Sequence, residues 1–109
     1  MQNTTTFKKQ QTVALCIPAY NAAKYLPRLF ASLQLQETNF DEVIVYDDCS
    51  TDNTSEVAYQ LGARVIRGNE NKGCTYGRLK LAEATNCDWI HFHDADDDMG
   101  SNFMTLANK

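Results

Sequence analysis

Four short runs of apolar residues divide the chain. Val13-Ala14-Leu15-Cys16-Ile17, closed by Pro18, and Glu42-Val43-Ile44-Val45-Tyr46, closed by Asp47-Asp48, place apolar side chains on consecutive positions rather than alternate ones. A strand apolar on both faces is buried on both, as a parallel strand is between layers of helix. Arg64-Val65-Ile66-Arg67 predicts a short third strand and Trp89-Ile90-His91-Phe92 a fourth. Between the runs the period changes. Tyr25, Leu26, Leu29, Phe30 and Leu33 recur at helical spacing from about Ala22 to Gln36, with Asn21 as cap and Pro27 in the first turns, where a missing amide costs least. Val57, Ala58 and Leu61 mark a second helix, about Thr54 to Leu61, stopped by Gly62, and Tyr76, Leu79 and Ala82 a third, about Thr75 to Ala84.

Strand and helix therefore alternate three times before the last strand. Crossovers of helical length join parallel strands with a right-handed twist, so the pattern predicts an α/β fold: a Rossmann-like three-layer α/β/α domain with a mostly parallel sheet of about four strands. Residues 1–11 read as a polar, frayed lead-in without the apolar core of a signal peptide, and residues 12–109 as one domain. The last ten residues, Gly100 to Lys109, read as the opening of a fourth helix capped by Ser101 or Asn102. A helix cut after two turns implies a truncated or excised chain.

Composition narrows the function classes. Hydrophobic residues make up 43% and charged residues 22%, an ordinary globular balance, and the formal net charge is -4. An acidic chain is a poor default partner for nucleic acid. No apolar run approaches the roughly 20 residues that span a bilayer. Cys16, Cys49, Cys74 and Cys87 contain no C-x-x-C pair, which argues against zinc; Cys16 reads as a core residue and Cys49 and Cys74 as loop thiols.

The chemistry gathers at the carboxyl ends of the strands, the edge where open parallel sheets bind ligands. Pro18-Ala19-Tyr20-Asn21 follows the first strand, Asp47-Asp48 the second, Gly68 to Gly73 the third, and Asp94-Ala95-Asp96-Asp97-Asp98 the fourth. Crowded carboxylates repel, and a neighbouring divalent cation relieves the repulsion; hard oxygen donors suit magnesium, manganese or calcium. The alternative is a solvated acidic turn that caps the next segment of chain. Asp94 and Asp96 share one side of an extended chain. Tyr20 either stacks on a base or ribose or is a half-buried aromatic. Asp48 either accepts hydrogen bonds from a base edge or caps the loop before the second helix. Arg78 either faces the same edge, if its helix begins near Cys74, or is an ordinary surface residue. His91 and His93 alternate on one strand face, either as packing residues or, with the aspartates, as a mixed site for zinc or iron.

Taken in order, these blocks resemble the nucleotide-binding half of family 2 glycosyltransferases, enzymes of the GT-A fold. VALCIPAYNAAKYLPRLFASLQLQ is similar to the family's opening strand and helix, VIVYDDCSTDNT to its strand with Asp-Asp-Gly-Ser-Thr-Asp, NKGCTYGRLKLAEA to its Asn-x-Gly-x-x-x-Ala-Arg-Asn helix, and WIHFHDADDDM to its strand running into Asp-x-Asp. The likeness extends from Val13 to Phe103. It implies that Pro18, Ala19 and Tyr20 lie along the nucleoside, that Asp48 reads the base with Arg78 near it, and that Asp94, Ala95 and Asp96 meet the diphosphate, with Asp94 and Asp96 holding Mn2+ or Mg2+. Cys49, Gly77 and Leu79 stand where glycine, alanine and asparagine are usual, and Asp98 and Gly100 where hydrophobic residues are common.

The implied activity is inverting transfer of a sugar from a nucleotide-diphospho-sugar, UDP being the commonest carrier, to a saccharide or lipid-linked acceptor, in the cytoplasm or at the inner face of the membrane. The family's catalytic base and acceptor site belong to a carboxyl-terminal half that these residues do not match, so no base is assigned. Two rival enzymatic and binding classes fit less well. A nucleotidyltransferase carries a glycine-rich basic loop after its first strand, where this chain has Pro18-Ala19-Tyr20-Asn21, and a phosphoacceptor receiver has its acidic pair after the first strand rather than the second. A non-catalytic nucleotide-binding module stays open.

Overall fold

The computed structural model describes residues 11–35, 40–96 and 107–108. Its elements are β1 (Val13–Ala19), α1 (Leu26–Leu33), β2 (Glu42–Asp47), α2 (Thr54–Gln60), β3 (Arg64–Arg67), α3 (Cys74–Ala84), β4 (Trp89–Phe92) and β5 (Ala107–Asn108). The five strands lie in the order β3-β2-β1-β4-β5, with the first four parallel and β5 antiparallel to β4.

The alternation along β1 explains why its apolar run is unbroken. Leu15, Ile17 and Ala19 join Val45, Leu26, Leu29, Phe30 and Ala58 in a core under α1 and α2. Ala14 and Cys16 turn the other way, into a second core with Ile44, Tyr46, Leu81 and Ile90 under α3. Each sheet face is thus covered by helix, as the three-layer pattern predicts. Burying side chains such as Leu15, Ile17 and Leu29, all 0% exposed, stabilises the fold by about 1.5–3 kcal/mol each.

Several boundaries differ from the sequence reading, each for a local reason. Pro18 does not close β1: it pairs with Tyr46 in register, and the strand continues to Ala19. Proline is tolerated there because the position lies at the end of the ladder. Helix α1 is half the expected length and starts at Leu26, with Tyr25 at its head and no side-chain cap. Asn21 is not a cap; it adopts a left-handed backbone (φ 50°) and binds elsewhere. Gly62, at φ 101°, does end α2, its amide donating to the carbonyl of Tyr59. Cys74 is the first residue of α3 rather than a loop residue.

The expected fourth helix is not formed at its end. Ala107 and Asn108 pair with Ile90 and Trp89 as a strand. The outer edge of β4 offers unpaired amides and carbonyls, and an extended segment satisfies them, whereas a helix end of two residues cannot propagate. The proposed caps Ser101 and Asn102, and Asp97 and Asp98, lie outside the described residues.

Candidate functional site

The sheet reverses its order between β1 and β4. The chain steps outward from β1 to β2 to β3, then returns across the sheet to place β4 on the other side of β1. The loop after β1 leads to α1 on one face and the loop after β3 to α3 on the other, which leaves a crevice at the carboxyl edge. A cleft of about 310 Å³ occupies that place. It is lined by Pro18, Ala19 and Tyr20 after β1, by Asp94, Ala95 and Asp96 after β4, and by Asp48, Gly73 and Cys74. Six of the seven residues assigned to nucleotide contact line it. The seventh, Arg78, stands behind Asp94, its Nη2 3.7 Å from Oδ1, with its guanidinium 6.0 Å from the ring centre of Phe92. The start of α3 at Cys74 puts Arg78 on that side of the helix.

The members differ in how firmly they are held. Tyr20 is 48% exposed and presents its ring to solvent and cleft. Asp48 is 6% exposed, and its two oxygens accept from the amides of Lys72 and Gly73, both at 2.9 Å. It does not cap the loop before α2. It ties the β3–α3 loop to the end of β2, and each oxygen keeps a lone pair for a further donor. Gly73 sits at φ 93°, a left-handed conformation that lets consecutive amides converge on the carboxylate. Residues 95–96 form a turn rather than extended chain, yet Asp94 and Asp96 both face the cleft, because Ala95 between them is buried against the α1–α2 core.

Tyr46 forms the floor. A side-chain carbon added to Gly68 would collide with its hydroxyl, and one added to Gly77 would lie 3.1 Å from its ring. The ring is 3% exposed, and burial, then the neighbouring Tyr76 and the carboxylates of Asp48 and Asp47, push its phenol pKa up, so it stays protonated. Gly77, which the sequence marks only as a departure from the usual alanine, is what gives this ring room. A large aromatic just before Asp47 on β2 is the signal that could have pointed to it.

Sequence identifies Asp47 only as half of an acidic pair. It is fully buried and accepts from the Ser50 amide (2.9 Å), the Ser55 hydroxyl (2.5 Å) and Arg67 (2.6 Å). Its partner Arg67, at the end of β3, also donates to the Ser50 carbonyl. Adjacent aspartates thus divide the work: Asp47 builds the loop and Asp48 faces the cleft.

Asp52 is held by the same loop system. Burial raises its carboxyl pKa, but bonds from the Thr54 hydroxyl and the Ala23 and Thr54 amides more than offset this, and the group lies below its ordinary value. A carboxylate with a depressed folded pKa binds protons more readily when unfolded, so its contribution is present above the unfolded pKa and lost as pH falls through the folded one. Stability should accordingly decline on acidification below about pH 4, and less steeply in Asp52→Asn; thermal melts across that range measure it.

A cation is implied by the acidic end of the cleft. Among the described residues, no three His, Cys, Asp or Glu side chains are placed to close on one ion. Among the described residues Asp94 and Asp96 are the two carboxylates at that end, and their hard oxygen donors fit a cation such as magnesium or manganese that keeps phosphate oxygens and water in its shell. Among the described residues the mixed imidazole–carboxylate site for zinc or iron is not formed. His91 is buried in β4 with its ring 6.4 Å from that of Phe40 and 5.7 Å from that of His93. Among the described residues no helix is long and apolar enough to cross a membrane.

An open, mostly parallel α/β sheet with an acidic crevice at its switch point defines a class of α/β proteins that bind ligands at that edge. Within that class the chain belongs to glycosyl transferase family 2, whose model matches residues 14–103. It is 39% identical over 92 residues to the 4,4'-diaponeurosporenoate glycosyltransferase of Staphylococcus haemolyticus, a match covering 79% of this chain and 24% of that protein. Among solved structures it is similar to residues 1–349 of S. aureus TarS in complex with UDP-GlcNAc, with a TM-score of 0.74 and 30% identity over 83% of this chain and 28% of that fragment. It is also similar to glucosyl-3-phosphoglycerate synthase of Mycobacterium tuberculosis, crystallised with Mn2+, UDP and glucosyl-3-phosphoglycerate, with a TM-score of 0.68 and 28% identity over 78% of this chain and 33% of that one. The 109 residues of this chain thus span about a third or less of the relatives named.

Proposed function

We propose that this chain forms the donor-binding half of an inverting glycosyltransferase that uses a nucleotide-diphospho-sugar, a UDP-sugar in the simplest case, together with Mn2+ or Mg2+. The observation that carries the reading is the convergence of Tyr20, Asp48 and the Asp94–Asp96 turn on one cleft at the switch point. The likeness to structures holding UDP, UDP-GlcNAc and Mn2+ supports it.

The geometry supports a role for each residue. Pro18 and Ala19 supply an apolar wall, and Tyr20 a ring against the nucleoside. Asp48, pinned by two amides, holds its remaining lone pairs in fixed directions towards a base N–H. Asp94 and Asp96 would hold the cation beside the diphosphate, with Arg78 keeping Asp94 in place. When bound, the cation supplies neutralisation of the departing diphosphate. Deprotonation of the acceptor hydroxyl needs a base, and we place it, with the saccharide or lipid-linked acceptor site, outside this chain. The whole enzyme would act in the cytoplasm or at the inner membrane face.

Calorimetric titration of the chain with UDP and manganese tests this reading. Weak, manganese-dependent binding is expected, reduced at least about tenfold in Asp96→Ala, the equivalent of about 1.4 kcal/mol. Manganese-dependent binding that Asp96→Ala leaves unchanged would remove that residue from the site.

A further inference from the structure

The polar residues that follow Asp48 do not line the cleft. Ser50, Thr51, Asp52 and Thr54 turn instead to the loop after β1. The Asn21 amide donates to the Ser50 hydroxyl (2.8 Å), the Ala22 amide to the Thr54 hydroxyl (2.9 Å) and the Ala23 amide to Asp52 (3.2 Å). Asn21 answers in the other direction: its Oδ1 accepts from the Thr51 amide (2.8 Å), the Thr51 hydroxyl (3.1 Å) and, at longer range, the Asp52 amide (3.4 Å). The bonds are reciprocal and join segments far apart in sequence.

This matters because the segment so held is the one from which Tyr20 projects. Asn21 sits at φ 50°, a left-handed conformation that asparagine, aspartate and glycine adopt most readily. That backbone turns the chain sharply after Tyr20, which is 48% exposed and lines the cleft. An exposed ring on an untied loop would have to be ordered at the moment a ligand arrives, at a cost of about 0.5–1.5 kcal/mol for the side chain alone. A tied loop has met that cost on folding. The tie is itself anchored: Ser50 is fixed by Asp47 through its amide and by Arg67 through its carbonyl.

We propose that Asn21 is a positioning residue of the nucleotide site, acting through its Oδ1 bond to the Thr51 amide to hold Tyr20 in place before the nucleotide binds. The Ser-Thr-Asp-Asn-Thr stretch is then a clamp on the Tyr20 loop. This proposal rests on the reading of the cleft as the donor site.

The experiment uses Asn21→Gly, which keeps the left-handed backbone available and removes the oxygen, and Asn21→Asp, which keeps both. UDP with manganese is titrated against each, alone and in a Tyr20→Ala background. Asn21→Gly should weaken binding about five- to tenfold, and Asn21→Asp should restore it to within about threefold of the parent chain. Asn21→Gly should cost nothing further once Tyr20 is alanine, because residues that act through one another are not additive. Equal losses in both backgrounds, or no loss at all, overturn the proposal. Amide hydrogen exchange is read in the same proteins without ligand: the Thr51 and Ala22 amides should be protected in the parent and exchange faster in Asn21→Gly. Unprotected amides in the parent overturn the clamp independently of any nucleotide. Protected amides together with absent UDP binding would instead count against the donor-site reading.

Discussion

Asp47→Ala should lower the free energy of unfolding by about 3 kcal/mol, measured by urea denaturation. The carboxylate is fully buried and takes three donors from three places: the Ser50 amide, the Ser55 hydroxyl at the start of α2 and Arg67 at the end of β3. Alanine leaves the first two short of a partner. The Arg67 side chain is 46% exposed and regains water, so the loss falls below that of a fully buried ion pair broken on one side. Arg67→Ala is the control and should cost only about 1 kcal/mol, since Asp47 keeps its other two donors. Equal losses for both variants would mean that the ion pair, rather than the loop, dominates.

The second large effect is expected from Asp48→Asn. The change is almost isosteric, but both oxygens of Asp48 accept from amides. An asparagine can satisfy one of them and must turn its NH2 towards the other N–H. The loop from Gly68 to Gly73 should then detach from the end of β2, costing about 2 kcal/mol of stability. Because Gly73 and Cys74 line the cleft, the nucleotide affinity proposed for the site should fall by at least about tenfold. An Asp48→Asn protein with parent stability and unaltered exchange at the Lys72 and Gly73 amides would show that the carboxylate does not hold this loop.

These expectations separate two adjacent aspartates that look alike in sequence. A strand end explains the difference. Side chains alternate faces along β2, so Asp47 follows Val45 and Val43 to the α1–α2 side, and Tyr46 follows Ile44 to the α3 side. Asp48, just beyond the strand, is free to turn towards the cleft. The period-2 rule contains this assignment once the register is known, but one acidic pair in a polar loop does not reveal which member is buried.

Much of the architecture is legible in the residues alone. β3 and β4 match their predicted spans, and α2 and α3 match within a residue, because apolar runs and helical periodicity are local consequences of which faces are buried. The failures share a cause. Asn21 looks like a helix cap because capping is decided by the nearest amides, yet its oxygen serves the amide of Thr51, on the other side of β2 in the chain. Pro18 looks like a strand stop because its missing donor is local, whereas its place at the end of the ladder is not. Ala107 and Asn108 look helical by pattern, and the open edge of β4 makes them a strand. Sequence by itself determined the parallel α/β domain, the family likeness and the gathering of Pro18, Tyr20, Asp48, Asp94 and Asp96 at one sheet edge, since strand direction alone dictates where those loops emerge. Only the tertiary structure decided that Asp47 is a buried loop anchor, that Gly68 and Gly77 make room for Tyr46, and that Ser50, Thr51, Asp52 and Thr54 clamp the Tyr20 loop. Those outcomes depend on bonds and contacts between segments distant in the chain, and no local spacing encodes them.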